Sequence, residues 1–227
     1  MCEILAVAAE TPQKLGSILS WAVEVERLGI AGFGWGVAWD TDGGGLQSYR
    51  NPTSVANDVE GMLALRDTPF RSAVVHLRRP SRLSTVEIAD TQPFLDEEGR
   101  FAFVHNGQFR HDGEQRERFS GLLRGRADSE VGFRLFGALL EDTAPAPALA
   151  AVHGTLGGTA NLCCLLPGGE LLLYGGHHGN ALYRFRLGDV WVASTALHSD
   201  DDSLFDLVFP SATERELIRH EPIPLNL

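Results

Sequence analysis

Short apolar runs of about four to eight residues, each cut off by glycine, proline or a polar turn, recur along this chain in two groups. The first group comprises residues 2–8, 32–39, 46–49, 72–77 and 101–104, and the second comprises 161–166, 171–175, 181–187 and 190–195. Runs this short and apolar read as buried strands. A helical pair lies between the groups: a segment opening at Asp128-Ser129 with Val131, Leu135, Phe136 and Leu139 on one face, and an Ala/Pro stretch over 144–151. Strands gathered in runs, rather than alternating one by one with helices, point to an α+β fold.

Residues 14–28 place Leu15, Ile18, Leu19, Ala22 and Val25 at helical spacing, and Gly29 stops the helix. A weaker helix is predicted over 54–66. Between them, Gly32-Phe33-Gly34-Trp35-Gly36 alternates glycine with large residues, which marks close approach by another backbone or a ligand. Asp40-Thr41-Asp42-Gly43 reads as the turn of a hairpin. Residues 78–93 read as a polar loop, 112–126 as a charged surface segment, and the last thirty residues follow no clear pattern.

A length of 227 residues suits one domain with a large core, taken here as 1–227. The net charge of -11 argues against nucleic acid as a partner. No apolar run approaches the roughly 20 residues of a membrane span, and no charged-then-apolar signal opens the chain. Cys2, Cys163 and Cys164 form no disulfide framework, so the expected location is the reducing cytoplasm. No cofactor or metal is expected. Adjacent residues on a strand point to opposite faces, so neither Cys163-Cys164 nor His177-His178 can readily chelate one ion. Both cysteines read as core.

Cys2 opens the first strand. Once the initiator methionine is removed, its thiol and its α-amine sit on one carbon. The amine has a reference pKa of about 7.7–8.0 and the thiol about 8.5, so one residue supplies nucleophile and base. Taken alone, Cys2 reads first as a small hydrophobe at a strand start, and the rest of the chain has to shift that reading.

Four further stretches stand out: His76-Leu77-Arg78-Arg79-Pro80-Ser81, Thr91-Gln92-Pro93-Phe94, Phe103-Val104-His105-Asn106-Gly107 and Ala127-Asp128-Ser129-Glu130. With Met1-Cys2 and Gly34-Trp35-Gly36, their order and spacing resemble the class II glutamine amidotransferases, and most of all the short stand-alone branch. The resemblance rests on motifs over roughly the first 140 residues. It implies a four-layer αββα sandwich of the N-terminal-nucleophile hydrolase type, with Cys2 as nucleophile. It also implies an oxyanion hole from the Asn106 side chain and the Gly107 backbone N–H. Arg78 matches the family's carboxylate-binding arginine, Ser81 its hydroxyl residue in the same loop, and Asp128 the acid that holds the substrate ammonium.

Read locally, Asn-Gly is a hairpin turn and Asp128 a helix N-cap. Two positions depart from the pattern: Arg79-Pro80 replaces an aromatic or small residue followed by alanine, and Phe33 replaces the aspartate usual before Gly-Trp-Gly. The implied substrate is glutamine or a γ-glutamyl compound. A true amidotransferase would hand ammonia to a separate synthase subunit, because the chain has no room for a synthase domain. A stand-alone γ-glutamyl hydrolase and a catalytically silent glutamine-binding module are the alternatives.

Overall fold

The computed structural model describes residues 2–41, 43–199 and 203–225. Met1, whose removal the chemistry above requires, lies outside the described residues, as does Asp42 of the expected turn. The chain runs β1 (Glu3–Lys14), α1 (Leu15–Leu28), β2 (Trp35–Asp40), β3 (Leu46–Asn51), α2 (Val59–Leu65), β4 (Pro69–Leu77), β5 (Phe94–Leu95) and β6 (Ala102–Phe109). It continues with α3 (Asp112–Arg118), α4 (Asp128–Leu139), α5 (Pro145–Leu156), β7 (Gly158–Leu165), β8 (Leu171–Gly176), β9 (Leu182–Leu187), β10 (Val190–Thr195), α6 (Ser203–Val208), β11 (Thr213–Leu217) and β12 (Ile223–Pro224).

Two antiparallel sheets stack face to face. One has seven strands in the order β11-β9-β10-β1-β4-β2-β3, and the other five in the order β12-β8-β7-β6-β5. The period of two along a strand explains the layering. In β1, Ile4, Ala6 and Ala8 face the second sheet and pack with Val104, Cys163, Leu165 and Leu173. Leu5 and Val7 face the other way, onto Leu15, Ile18, Leu19, Ala22 and Val25 of α1. The outer face of the second sheet, with Phe103, Leu162 and Cys164, is covered by Val131, Leu135 and Phe136 of α4 and Leu149 and Val152 of α5. Helices, sheet, sheet and helices form the expected αββα sandwich. The adjacent cysteines each enter a different apolar layer, as the period requires.

Several local expectations change. β1 continues beyond residue 8 through an irregularity in its pairing between Ala8 and Gln13. The helix expected over 54–66 is a short 3₁₀ turn, Val55–Asn57, followed by α2, with the Asp58 side chain accepting the Gly61 N–H at 3.2 Å. Gly175-Gly176 forms the end of β8. His177-His178 therefore lies just beyond the strand, in a loop. The unpatterned C-terminal segment supplies α6, β11 and β12.

The largest change is at β6. Instead of ending before His105-Asn106-Gly107, the strand runs on to Phe109 and pairs with β7 as far as Phe109↔Gly158. Gly107 has φ +141°, and a Cβ there would lie 2.0 Å from the Thr159 carbonyl oxygen. The glycine serves close strand approach, not a hairpin turn.

Candidate active site

β1 is central in its sheet, so its first residue emerges among neighbouring strand ends. Glu3 pairs with Leu77 of β4, which brings Cys2 against the chain leaving β4. The Arg79 backbone N–H points at Cys2 Sγ at 3.4 Å, and Sγ lies 3.7 Å from the Arg79 carbonyl oxygen. Burial pushes the thiol pKa up, while the Arg79 N–H and the nearby Arg78 guanidinium oppose that rise.

Cys2 lines a cavity of about 310 Å³ together with Arg78, Ser81, Gly107 and Asp128. Five of the six expected site residues thus meet at one cavity. The sixth, Asn106, is fully buried beside it, and its side-chain amide donates to the Cys2 carbonyl oxygen. That amide has a second hydrogen. Its own oxygen accepts from Asn161 Nδ2 at 3.1 Å, which fixes the amide's orientation. Asn180 Nδ2 lies 3.3 Å from the same Cys2 carbonyl and 2.9 Å from Glu3 Oε2. Asn161 and Asn180 are site supports that sequence reasoning did not identify, since each sits on a different strand or loop far along the chain.

Arg78 is almost wholly buried, and burial lowers its pKa. Its guanidinium holds the loop above it, donating to the Thr85 carbonyl and, at 2.9 Å, to Thr85 Oγ1. Two of its five N–H donors are used in this way. Its backbone is clasped by the glycine-rich stretch: Arg78 N–H donates to Gly34 O at 2.7 Å, and Gly32 and Phe33 donate to Arg78 O at 3.1 and 3.0 Å. The two departures from the family pattern meet here, with the Arg79 guanidinium 5.8 Å from the centre of the Phe33 ring.

Asp128 is the first helical residue of α4, with Ala127 in the cap position. Its Oδ2 accepts the Phe109 N–H at 2.7 Å and its Oδ1 the Ser129 N–H at 3.0 Å. It ties the end of β6 to α4 and complements the helix dipole. Asp90 is a further cavity acid, nearly fully buried, whose Oδ1 accepts the N–H groups of Arg126 and Ala127 at 2.6 and 2.7 Å.

Gln92, quoted only as part of a loop motif, has a definite task. Its Oε1 accepts the His105 N–H at 2.6 Å, and its Nε2 donates to the His105 carbonyl at 3.1 Å. Gly36 lets the loop approach, since a Cβ there would lie 2.4 Å from the Gln92 carbonyl oxygen. The histidines beside the site have structural partners. His105 Nδ1 lies 2.9 Å from Ser129 Oγ, and its ring stacks on Phe109. His76 Nε2 lies 3.2 Å from the His105 carbonyl oxygen, and burial lowers its pKa to about 3.

Asn161, His177, His178 and His220 line a second cavity of about 350 Å³ behind the Asn106–Asn161 pair. The expectation that the His177-His178 pair would diverge on a strand is thus replaced by a loop that turns both to one cavity. Among the described residues, no group of three or more side chains is placed to hold a metal ion. No helix among them is long and apolar enough to cross a membrane.

The fold is shared with solved amidotransferases. The glutamine phosphoribosylpyrophosphate amidotransferase of B. subtilis superposes with a TM-score of 0.73 at 15% identity, covering 98% of this chain and 48% of that one. The chain therefore spans about half the length of that enzyme. A glutamine aminotransferase class-II domain protein from Silicibacter pomeroyi gives a TM-score of 0.59 at 20% identity, covering 86% of this chain and 88% of its own. A predicted glutamine amidotransferase from Pseudomonas aeruginosa gives 0.52 at 17% identity, with 98% and 96% covered. No curated protein sequence matches. The family description "Glutamine amidotransferases class-II" matches residues 1–183, and the chain belongs to that family.

Proposed function

We propose that this chain, as one domain over residues 1–227, hydrolyses the side-chain amide of glutamine or a γ-glutamyl compound through a thioester on Cys2. The observation that carries the reading is the convergence of Cys2, Arg78, Gly107 and Asp128 on one cavity, with Asn106 bonded to the Cys2 carbonyl. In the first step Cys2 Sγ attacks the amide carbon. The negative oxygen that forms is met by the Asn106 side-chain N–H and the Gly107 backbone N–H. The α-amine of processed Cys2 takes the thiol proton and delivers it to the departing nitrogen, which leaves as ammonia or an amine. Water then attacks the thioester carbon, releasing glutamate and restoring the thiol. The remaining donors of Arg78 grip the α-carboxylate, Ser81 adds a hydroxyl, and Asp128 holds the α-ammonium.

A thiol raised by burial needs a base nearby, which fits the α-amine and not the committed histidines. Transfer of ammonia to a synthase would call for a separate subunit; the B. subtilis enzyme carries about as much chain again as this fold occupies. The proposed location is the cytoplasm. The test is glutamate release from glutamine and from γ-glutamyl compounds, with intact-mass detection of a glutamyl adduct on Cys2. Release that persists unchanged in Cys2→Ala would overturn the mechanism.

A further inference from the structure

The His177-His178 pair takes no part in the chemistry at Cys2, yet both residues line the second cavity. The end of β8 makes room for it. A Cβ on Gly175 would lie 2.2 Å from the Ile218 carbonyl oxygen, so glycine lets the segment after β11 lie against the strand. There the Gly175 N–H donates to the Arg219 carbonyl oxygen at 2.9 Å. The space of about 350 Å³ is lined by the His177-His178 loop and by residues 217–220, and it shares no lining residue with the Cys2 cavity. Its volume is at the low end for a small-molecule site, roughly 300–1,000 Å³.

The lining offers two kinds of surface. Leu182, Leu217 and Ile218 supply hydrocarbon. His177, His178, Arg219 and His220 supply N–H donors, since an imidazole carries at least one in either protonation state, and Arg219 adds a permanent positive charge. No carboxylate lines the space among the described residues, in a chain whose net charge is -11. The exposed Arg219 guanidinium makes no hydrogen bond or ion pair among the described residues. His177 is only 8% exposed, and its buried Nδ1 has no hydrogen-bond partner among the described residues. Its backbone N–H donates to Asn161 Oδ1 at 3.2 Å, which ties the loop to β7. Buried polar atoms without a partner are few in folded proteins, and one in a cavity wall is suited to the polar end of a ligand.

We propose that this second cavity binds a small organic anion, a carboxylate on an apolar body, with Arg219 and the imidazoles meeting the carboxylate and Leu182, Leu217 and Ile218 enclosing the hydrocarbon. A guanidinium and a carboxylate form a charge-assisted hydrogen bond, and the hydrocarbon gains by leaving water. The site is independent of the reaction proposed at Cys2.

The test uses three probes: phenylacetate, its neutral isostere phenylacetamide, and acetate, which keeps the charge without the ring. Calorimetry measures affinity, and the ring signals of nitrogen-labelled histidines locate the site. Phenylacetate should bind with a Kd of about 1 mM or below and shift the signals of His177, His178 and His220. Phenylacetamide should bind about fivefold more weakly, the upper end for an exposed ion pair. Acetate should bind more weakly by about tenfold or more, having no ring to bury. Arg219→Ala and Arg219→Gln, at an exposed position, should keep the parent's thermal midpoint and lose the preference for phenylacetate over its amide. Phenylacetate that leaves these histidine signals unmoved overturns the proposal. So does equal binding of phenylacetate and phenylacetamide, or a preference that both Arg219 variants retain. Acetate binding as tightly as phenylacetate would remove the apolar body and overturn it as well.

Discussion

The side chain of Gln92 brackets the backbone of His105, accepting its N–H at 2.6 Å and donating to its carbonyl at 3.1 Å. β5 pairs with β6 only at Phe103 and Ala102. Beyond that point a side-chain amide takes over the work of a strand and fixes the residue just before Asn106. We expect Gln92→Ala to cost about 1–3 kcal/mol, the penalty of a buried N–H stripped of its partner. The His105 carbonyl still has His76 at 3.2 Å, so the loss falls mainly on the N–H. Denaturant titration would measure the stability and glutamate release the accompanying loss of turnover. A variant that matches the parent in both would show that the bracket has no role.

Processing of Met1 should switch the enzyme on. With Met1 attached, Cys2 has a peptide nitrogen, which is not a base, and the thiol, its pKa raised by burial, stays protonated. The small side chain at position 2 favours removal of Met1. Intact-mass analysis would separate the two forms for individual assay. Equal turnover by a verified Met1-bearing sample would exclude the α-amine as the base.

Arg78→Lys should raise KM for glutamine on the order of tenfold or more, as expected for losing a charge-assisted hydrogen bond. The charge survives, but the fork that holds Thr85 and, in the proposed mechanism, the substrate carboxylate does not. Asp128→Asn should lower kcat/KM on a similar scale, and the deficit should narrow for a substrate without the α-ammonium. Unchanged kinetics in both variants would remove these residues from the substrate site.

Glu3 gives the fold a pH dependence. It is fully buried, and burial raises its pKa to about 7 despite hydrogen bonds from Asn180 and Thr195. The folded protein therefore binds a proton that the unfolded chain releases near its ordinary value of 4.5. Stability from this group is present below that value, falls as pH rises, and is lost once pH passes about 7. The full span is on the order of 3 kcal/mol. Glu3→Gln can still accept from Asn180 and Thr195, and its amide N–H would face His198 Nε2, which lies 3.5 Å from Glu3 Oε1. The variant should gain on the parent progressively between pH 5 and 8 in thermal or chemical denaturation. A stability difference independent of pH would contradict the assignment.

Local sequence determined much of this protein. The period of two in Ile4 to Ala8 assigns each side chain to its sheet face, and the helical spacing of Leu15, Ile18, Leu19, Ala22 and Val25 selects the stripe that covers that sheet. The candidate site residues, a thiol at position 2, a forked cation at 78 and an acid at 128, were legible through the resemblance of their motifs to the class II amidotransferases. What tertiary structure decided are the contacts between distant segments. Asn106-Gly107 favours a turn when considered alone, yet it stays in a strand because β7 approaches at Thr159. The residue type of Glu3 gives an ordinary carboxyl pKa, but burial between β4 and β10 raises it to about 7. Gln92, Asn161 and Asn180 carry no local signature, because an amide's role depends on which backbone or side chain it meets. Such meetings are set by sheet packing and strand order, which no window of neighbouring residues contains.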